Sequence, residues 1–531
     1  MKRGVLTVNN LTLAFEENTE VLTAVSFSLY KGEVLGIVGE SGSGKSLTAR
    51  AIVGLLPNNC YRSSGSIQLE DTELTTLSDD ELCTIRGRRI GLVFQDPLSC
   101  FNPLHRIGKQ IGEGLAIHQQ VTQKEIDTRV SELMHLTGLT DTTRLMNSFP
   151  HQLSGGQRQR AMVAMMLAAG PDILIADEPT TALDAIIQQQ VLDLLNSLKK
   201  SMSLSMILIS HDLAMVRQVA DRIVVMQNGC IVERGACEEV FHNPQHSYTR
   251  SLLRRDTGRA QKTGGDNEPV VLSVKDFNIF YPQGQALLPW KKPAQLNAVK
   301  NVSFELRRGE CLGIVGESGS GKSSLGLGIS ALIPSRGKVS VHGEDISKMS
   351  KEALKKLRAN LQIVFQDPLA ALNPRLSVEE CIAEGLKAQK KFSQQEISIK
   401  VTGAMEAVEL DPAMRHRYPH EFSGGQCQRI CLARALILEP ACIIFDEPTS
   451  SLDRNTQFQV LDLLRRLQKK YGLASIFITH DLGLVESLCG RVMIMHNGEI
   501  VEKGTTEDIF STPTHSYTRE LLKAAMVGEV M

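Results

Sequence analysis

The eight residues GESGSGKS occur twice in this chain of 531 residues, at Gly39–Ser46 and again at Gly316–Ser323. Each copy follows a short apolar run, EVLGIV in the first and ECLGIV in the second. The pattern G-x-x-x-x-G-K-S between a strand and a helix lets backbone N–H groups curl around a polyphosphate, and glycines are needed because side chains would block that approach. The residues expected to hold the phosphates are Gly39, Glu40, Ser41, Gly42, Ser43, Gly44, Lys45 and Ser46 in the first copy. In the second they are Gly316, Glu317, Ser318, Gly319, Ser320, Gly321, Lys322 and Ser323. Lys45 and Lys322 should reach the terminal phosphates, while Ser46 and Ser323 offer a hydroxyl to Mg²⁺. The N-terminus of the following helix adds its partial positive charge.

Four more sets of residues fit around such a phosphate. Two apolar runs end in acidic pairs, ILIADE and IIFDE. Asp177 and Asp446 stand where a Mg²⁺-associated carboxylate belongs, at the carboxyl end of a buried strand. Glu178 and Glu447 follow directly, so their side chains are expected on the other side of the strand. There a carboxylate can orient and deprotonate the water that attacks the γ-phosphorus. His211 and His480 close the runs LISH and FITH, suited to contact the γ-phosphate and hold that water in line. Gln95 and Gln366, each after Val-Phe, suit a contact with Mg²⁺ or the water that reports whether nucleotide is present.

The last set is LSGGQ, with Ser154, Gly155, Gly156 and Gln157, and its counterpart FSGGQ, with Ser423, Gly424, Gly425 and Gln426. Ser-Gly-Gly opening a helix presents bare N–H groups, which is a second anion site. It lies over a hundred residues from the glycine loop of its own copy. One domain has no need of two phosphate cradles for one nucleotide, so the simplest account is that this cradle serves the nucleotide held by the other copy.

These residues sit in a chain that is a tandem repeat. VSFSLYKGEVLGIVGESGSGKS matches VSFELRRGECLGIVGESGSGKS, and FPHQLSGGQRQR matches YPHEFSGGQCQR. Thirty-four residues separate Asp177 from His211, and thirty-four separate Asp446 from His480. Units of this size are whole domains in duplicate. The expected division is a first domain over residues 1–253, a polar linker over 254–269 and a second domain over 270–531. Each copy should begin with antiparallel strands, then a buried strand feeding the glycine loop and a helix, then a helix-rich middle. The runs DILIAD and SMILIS read as core parallel strands. A hairpin closes each copy, with Asn-Gly between alternating apolar residues in VVMQNGCIV and MIMHNGEIV.

Composition narrows the function classes. A net charge of -1 gives no electrostatic footprint for nucleic acid. No stretch approaches the roughly 18–20 unbroken apolar residues of a membrane-spanning helix, and the start has no apolar signal region. The expectation is a cytosolic protein. Its 11 cysteines are scattered without a CxxC pair. Cys427 and Cys431, one helical turn apart, are expected to be small core residues rather than metal ligands.

The order of glycine loop, Gln, LSGGQ, DEP and His resembles the ATP-binding-cassette (ABC) ATPases, over essentially the whole chain and twice. The resemblance implies an α/β fold: tandem P-loop NTPase domains, each with a RecA-like parallel-sheet core, an antiparallel β subdomain and a helical subdomain. It also implies two cassettes closing head to tail over two ATP molecules with Mg²⁺. Site one would join Lys45, Gln95, Asp177, Glu178 and His211 to Ser423, Gly424, Gly425 and Gln426. Site two would join Lys322, Gln366, Asp446, Glu447 and His480 to Ser154, Gly155, Gly156 and Gln157. Mg²⁺ would be met by Ser46, Gln95 and Asp177 in one and by Ser323, Gln366 and Asp446 in the other. The family's adenine-stacking aromatic falls at Phe15 and Tyr281, although PQGQALLPWKKP is inserted after Tyr281. Both copies keep the catalytic set. One departure is Arg434, in CLARAL, where the first copy has MVAMML.

The segments FQDPLSCFNP and FQDPLAALNP, and the closing HSYTRSLL and HSYTRELL, resemble the dipeptide/oligopeptide importer branch, above all fused ATPases of the microcin C type. The resemblance implies a peptide-uptake motor at the cytoplasmic face of the inner membrane. Its partners would be two integral-membrane permease subunits and a periplasmic or lipid-anchored substrate-binding protein, with no nucleic acid. The branch also holds glutathione, nickel and metallophore importers. The cysteine-rich tail of some members is missing after the first copy, so no iron–sulfur cluster is expected. Soluble tandem-cassette translation factors are the alternative of another class. Their long charged helical linker has no counterpart in the short stretch 254–269, and the importer-type endings have no role there. Intact Glu178 and Glu447 speak against a non-hydrolysing dimer.

Overall fold

The computed structural model describes residues 4–15, 19–119, 121–180, 184–253, 268–283, 294–346, 349–449, 452 and 454–526. The chain divides into two compact units, the first of residues 1–183 and 187–255 and the second of residues 184–186 and 256–526. Most of the expected linker, 254–267, lies outside the described residues, as does 284–293 of the insertion after Tyr281.

Among the described residues the first unit has ten strands: β1 (Gly4–Phe15), β2 (Glu20–Tyr30), β3 (Val34–Val38), β4 (Cys60–Leu69), β5 (Thr72–Glu73), β6 (Ile90–Val93), β7 (Ile173–Asp177), β8 (Ser205–Ser210), β9 (Arg222–Gln227) and β10 (Cys230–Ala236). Four form an antiparallel sheet in the order β2-β1-β4-β5. Six form the sheet β10-β9-β3-β8-β7-β6, parallel throughout except for the β9–β10 hairpin. The second unit repeats this with β11 (Val270–Gln283), β12 (Ala294–Arg307), β13 (Cys311–Val315), β14 (Arg336–Val341), β15 (Glu344–Asp345), β16 (Leu361–Val364), β17 (Cys442–Asp446), β18 (Ala474–Thr479), β19 (Arg491–His496) and β20 (Glu499–Thr505). Its sheets run β12-β11-β14-β15 and β16-β17-β18-β13-β19-β20.

The unbroken apolar runs of β3, β7 and β8 follow from burial on both faces. Alternate residues Leu35, Ile37, Ile173, Ile175, Ile207 and Ile209 pack toward the antiparallel sheet. Val34, Val38, Leu174, Ala176, Met206 and Leu208 join the core of the helical region. That region holds the helices Ile107–His118, Gln123–Leu136 and Gly155–Leu167 in the first unit. In the second it holds Val378–Gln389, Gln394–Ala407 and Gly424–Leu436. The sequence places the helix-rich middle next after the glycine loop and its helix. In the structure β4, β5 and β6 intervene: β4 and β5 because the antiparallel sheet draws strands from both sides of the loop in sequence, and β6 as the edge strand of the parallel sheet.

The closing hairpins have the left-handed pairs Asn228 and Gly229 (φ 47° and 77°) and Asn497 and Gly498 (φ 49° and 86°). That is the two-residue turn whose twist matches its strands. Cys427 and Cys431 are buried in the helix Gly424–Leu436 and belong to the core. Burial pushes the Cys431 thiol up to about 12, as expected for an inert packing residue.

Candidate active site

Strand β3 delivers the chain into the first glycine loop, and the helix Lys45–Ile52 leaves it. Gly42 and Gly44 have φ of 80° and 97°, and Gly319 and Gly321 have 83° and 105°. Only glycine takes these left-handed angles without cost. The first glycine has a different reason. A Cβ on Gly39 would lie 2.2 Å from the carbonyl oxygen of Met226 in β9, and one on Gly316 would lie 2.0 Å from that of Met495 in β19. Close packing of the loop on its neighbouring strand, rather than the phosphate, requires glycine there.

Lys45 is buried, and its Nζ donates to the carbonyls of Gly39 (2.8 Å) and Glu40 (2.6 Å). Lys322 does the same to Gly316 (2.6 Å) and Glu317 (2.7 Å). Burial holds the Lys322 ammonium below its usual range. Both lysines thus lie folded over their own loops, from which a phosphate oxygen can draw them by a stronger charge-assisted bond. The buried Ser320 Oγ has no hydrogen-bond partner among the described residues.

At the end of β7, Asp177 accepts a 2.9 Å hydrogen bond from Ser46 Oγ, and Asp446 accepts the same bond at 2.9 Å from Ser323 Oγ. Burial pushes both aspartates up. A buried carboxylate beside a hydroxyl fits Mg²⁺, which takes one or two protein oxygens and completes its shell with phosphates and water. A cation there would also offset the burial that disfavours the charged carboxylate. No cluster of three or more His, Cys, Asp or Glu able to hold a metal occurs among the described residues.

Glu178 and Glu447 leave the strand with φ of 48° and 46°. Their N–H groups still pair with the next strand, at 2.9 Å to Ile209 and 2.8 Å to Ile478. A left-handed non-glycine residue costs about 1–3 kcal/mol and is common at functional sites. The two remaining expected partners converge on this carboxylate. Gln95 Nε2 donates to Glu178 Oε2 at 2.9 Å, and His211 Nδ1 lies 3.0 Å from Oε1. In the second unit Gln366 donates to Glu447 at 2.9 Å and His480 Nδ1 lies 3.2 Å away. Gln95 and Gln366 therefore each place an amide N–H on the glutamate carboxylate.

The hydrogen bond to Glu178 raises the His211 imidazole above its ordinary 6.5. Burial acts to lower His480, but the bond to Glu447 and that residue's charge outweigh it, and the net direction is also upward. A histidine raised in the folded state contributes stability that is fully present below the unfolded value and lost as pH rises through the folded one. The Tm gap between the nucleotide-free protein and its His211→Ala/His480→Ala variant should thus be widest below about pH 6.5 and narrow above it. A gap unchanged across that range by differential scanning calorimetry would show that the imidazoles do not titrate with the carboxylates.

Ser154 caps the helix Gly155–Leu167, and Ser423 caps Gly424–Leu436. Each serine Oγ accepts the N–H of the glutamine three residues on, at 3.3 Å and 3.4 Å. Gln157 and Gln426 return a side-chain oxygen to the serine N–H, at 3.0 Å each. The motif glutamine is a reciprocal cap in its own helix, its N–H taken by the serine, while the N–H groups of the two glycines are the orphan donors of a helix start. The second glycine also serves packing: a Cβ on Gly156 would meet Ile187 at 2.8 Å, and one on Gly425 would meet Thr456 at 2.3 Å.

Phe15 ends β1, half-buried against the core. Tyr281 is exposed, and its hydroxyl lies 3.2 Å from Ser324 Oγ, at the start of the helix that follows the second glycine loop. Arg434 donates to the carbonyl of Ala371 at 2.7 Å, so the departure from the first copy is a tie inside the helical region. Sequence reasoning missed four caps. Asp96 and Asp367 cap the short helices Pro97–Cys100 and Pro368–Ala371; Asp212 and Asp481, after the histidines, cap Leu213–Val219 and Leu482–Leu488. Asp-Pro at a helix start was the available signal for the first pair.

A family model described as "ABC transporter" matches residues 22–181 and 299–450. A second, "Oligopeptide/dipeptide transporter, C-terminal region", matches 232–256 and 501–529. The "Peptidoglycan transport ATP-binding protein YejF" of Agrobacterium fabrum is 47% identical over 98% of this chain and 96% of its own. This chain belongs to the ABC transporter ATPase family. An Escherichia coli K12 relative, "Uncharacterized ABC transporter ATP-binding protein YejF", is 43% identical over 98% of this chain and 99% of its own. "Glutathione import ATP-binding protein GsiA" of Escherichia coli O6:H1 is 40% identical over 99% of this chain and 90% of its own. The two units are thus two fused ABC cassettes, which bind and hydrolyse ATP.

Proposed function

We propose that this chain is the ATPase motor of a peptide importer and acts on separate permease subunits at the cytoplasmic face of the inner membrane. The observation that carries this reading is the oligopeptide/dipeptide transporter C-terminal region, present at the end of both cassettes. The relative named for peptidoglycan transport and the one named for glutathione import favour cargo of peptide character. No helix among the described residues is long and apolar enough to cross a membrane. Attachment would therefore run through two integral-membrane permeases, supplied with cargo by a substrate-binding protein. The helical segments between Gln95 and Ser154, and between Gln366 and Ser423, are the proposed docking surfaces.

In each site Lys45 or Lys322 would leave its loop carbonyls for the terminal phosphates. Mg²⁺, held by Ser46 and Asp177 or by Ser323 and Asp446, would neutralise phosphate charge. Glu178 and Glu447 would take the proton of the attacking water. Gln95, His211 and their counterparts would then release the carboxylate and turn toward the water or the phosphate. Ser423, Gly424, Gly425 and Gln426 would complete the first site and Ser154, Gly155, Gly156 and Gln157 the second.

The test uses cells deleted for this chain. Restoring it should restore accumulation of a labelled short peptide, and Lys45→Ala/Lys322→Ala should not. The protein should sediment with membranes only when the permeases are present. Co-sedimentation with ribosomes and unchanged peptide uptake would instead favour a tandem-cassette translation factor.

A further inference from the structure

The closing HSYTR of each cassette marks the importer branch, and none of the roles above uses it. In the structure it begins the helices Ser247–Leu253 and Ser516–Met526. The tyrosines are buried there, Tyr248 in one core and Tyr517 in the other. Each hydroxyl ends at a glycine loop some 200 residues earlier in the chain. The N–H of Glu40 donates to Tyr248 Oη at 2.9 Å, and that of Glu317 donates to Tyr517 Oη at 3.0 Å.

The segment that presents the tyrosine is itself held firmly. Glu233 of β10 accepts the N–H groups of Gln245 (2.7 Å) and His246 (3.0 Å). Glu502 of β20 accepts those of Thr514 (2.7 Å) and His515 (3.1 Å). His246 Nδ1 then accepts the N–H of Tyr248 at 3.2 Å, and His515 Nδ1 that of Tyr517 at 3.2 Å. The histidine thus aims the tyrosine, and the tyrosine meets the loop. In each cassette the second loop residue is gripped at both ends, by a tyrosine hydroxyl at its N–H and by the loop lysine at its C=O.

We infer that Tyr248 and Tyr517 are positioning residues for ATP binding, each fixing the outer limb of its glycine loop from the C-terminal module. When nucleotide arrives, the lysine must leave the carbonyl of Glu40 or Glu317. The tyrosine hydroxyl then keeps its hold on the N–H of that residue, beside the bonds that Ser43 and Ser320 N–H make to the same carbonyls, and helps keep the inner N–H groups turned toward the phosphates. Without the hydroxyl, the empty loop relaxes to pair the freed N–H elsewhere, and binding has to reverse that relaxation. Affinity falls because preorganisation is lost. The same arrangement in two copies that have diverged elsewhere indicates that it is built in.

This rests on the glycine loops being the ATP sites, so the experiment separates the two. Full-length Tyr248→Phe/Tyr517→Phe keeps both buried rings and removes only the hydroxyls. A fluorescent ATP analogue should bind it about three- to tenfold more weakly, the span of one neutral hydrogen bond. KM for ATP should rise in parallel, with kcat within about twofold of the parent. Unchanged Kd and KM, even with a lowered Tm, would make the hydroxyls structural only and overturn the inference. A fall in kcat at constant KM would overturn it equally. Glu233→Gln/Glu502→Gln, which loosens the anchor and leaves the tyrosines in place, should shift Kd in the same direction by less. Lys45→Ala/Lys322→Ala should lose binding. If it bound like the parent, the loops would not be the ATP sites, and both readings would fall together.

Discussion

The Glu178→Gln/Glu447→Gln variant should still bind ATP while its hydrolysis falls about 10²-fold or more, the usual worth of a general base. The expectation is sharp because the amide reproduces much of what the structure shows these side chains doing. Gln95 and Gln366 each donate to the glutamate at 2.9 Å, and an amide oxygen accepts that bond as well. The left-handed backbone at both positions is as costly for Gln as for Glu, so the fold gains no new strain. What is lost is the basicity that can take a proton from water. A 10²-fold loss corresponds to about 2.7 kcal/mol of barrier. Single-turnover hydrolysis, measured beside equilibrium binding, gives the answer. Near-normal turnover with intact binding would mean that another group activates the water.

The second large effect separates composite sites from self-contained ones. Lys45→Ala/Ser423→Ala should retain about the activity of Lys45→Ala alone, since both changes fall in the same proposed site, where effects of groups acting as a unit do not add. Lys45→Ala/Ser154→Ala should be clearly lower, because Ser154 is assigned to the site of Lys322. Stability does not separate the pair. Ser154 and Ser423 cap equivalent helices by the same reciprocal bonds, and each alanine should cost about 0.5–2 kcal/mol. An ATP photoprobe loaded on Lys322→Ala, which leaves the first glycine loop as the intact one, reads the geometry without relying on turnover. Labelling around Ser423 supports sharing between copies. Labelling around Ser154 would make each cassette self-contained and end the composite reading.

Much of the site was legible in the sequence because its chemistry needs particular residue types at fixed local spacing. The glycine loop, the acidic pair, the terminal histidine and the Ser-Gly-Gly helix start each occupy a few consecutive residues. Their backbone context, strand then turn then helix, is written in the adjoining apolar runs. Exact duplication raised each of these from a pattern to a domain, and the even 34-residue spacing tied Asp177 to His211 and Asp446 to His480. The parallel core was readable for the same reason, since strands buried on both faces leave no polar alternation.

Contacts between segments far apart in sequence were decided only by the tertiary structure. Nothing local tells that Gly39 must be glycine because Met226 of β9 passes over it, or that Gln95 and His211 both close on Glu178. The glutamine of SGGQ looked like a ligand and proved also to be a cap, because a helix start satisfies its own N–H groups with whatever acceptor lies three residues on. The HSYTR ending could be recognised as a family mark, but its spelling gives no hint that the tyrosine meets a loop about 200 residues away. Local sequence specifies conformation and chemical type, because those depend on neighbours along the chain. Which distant group fills a given hydrogen bond depends on how sheets and helices pack, and that was settled only when the whole cassette folded.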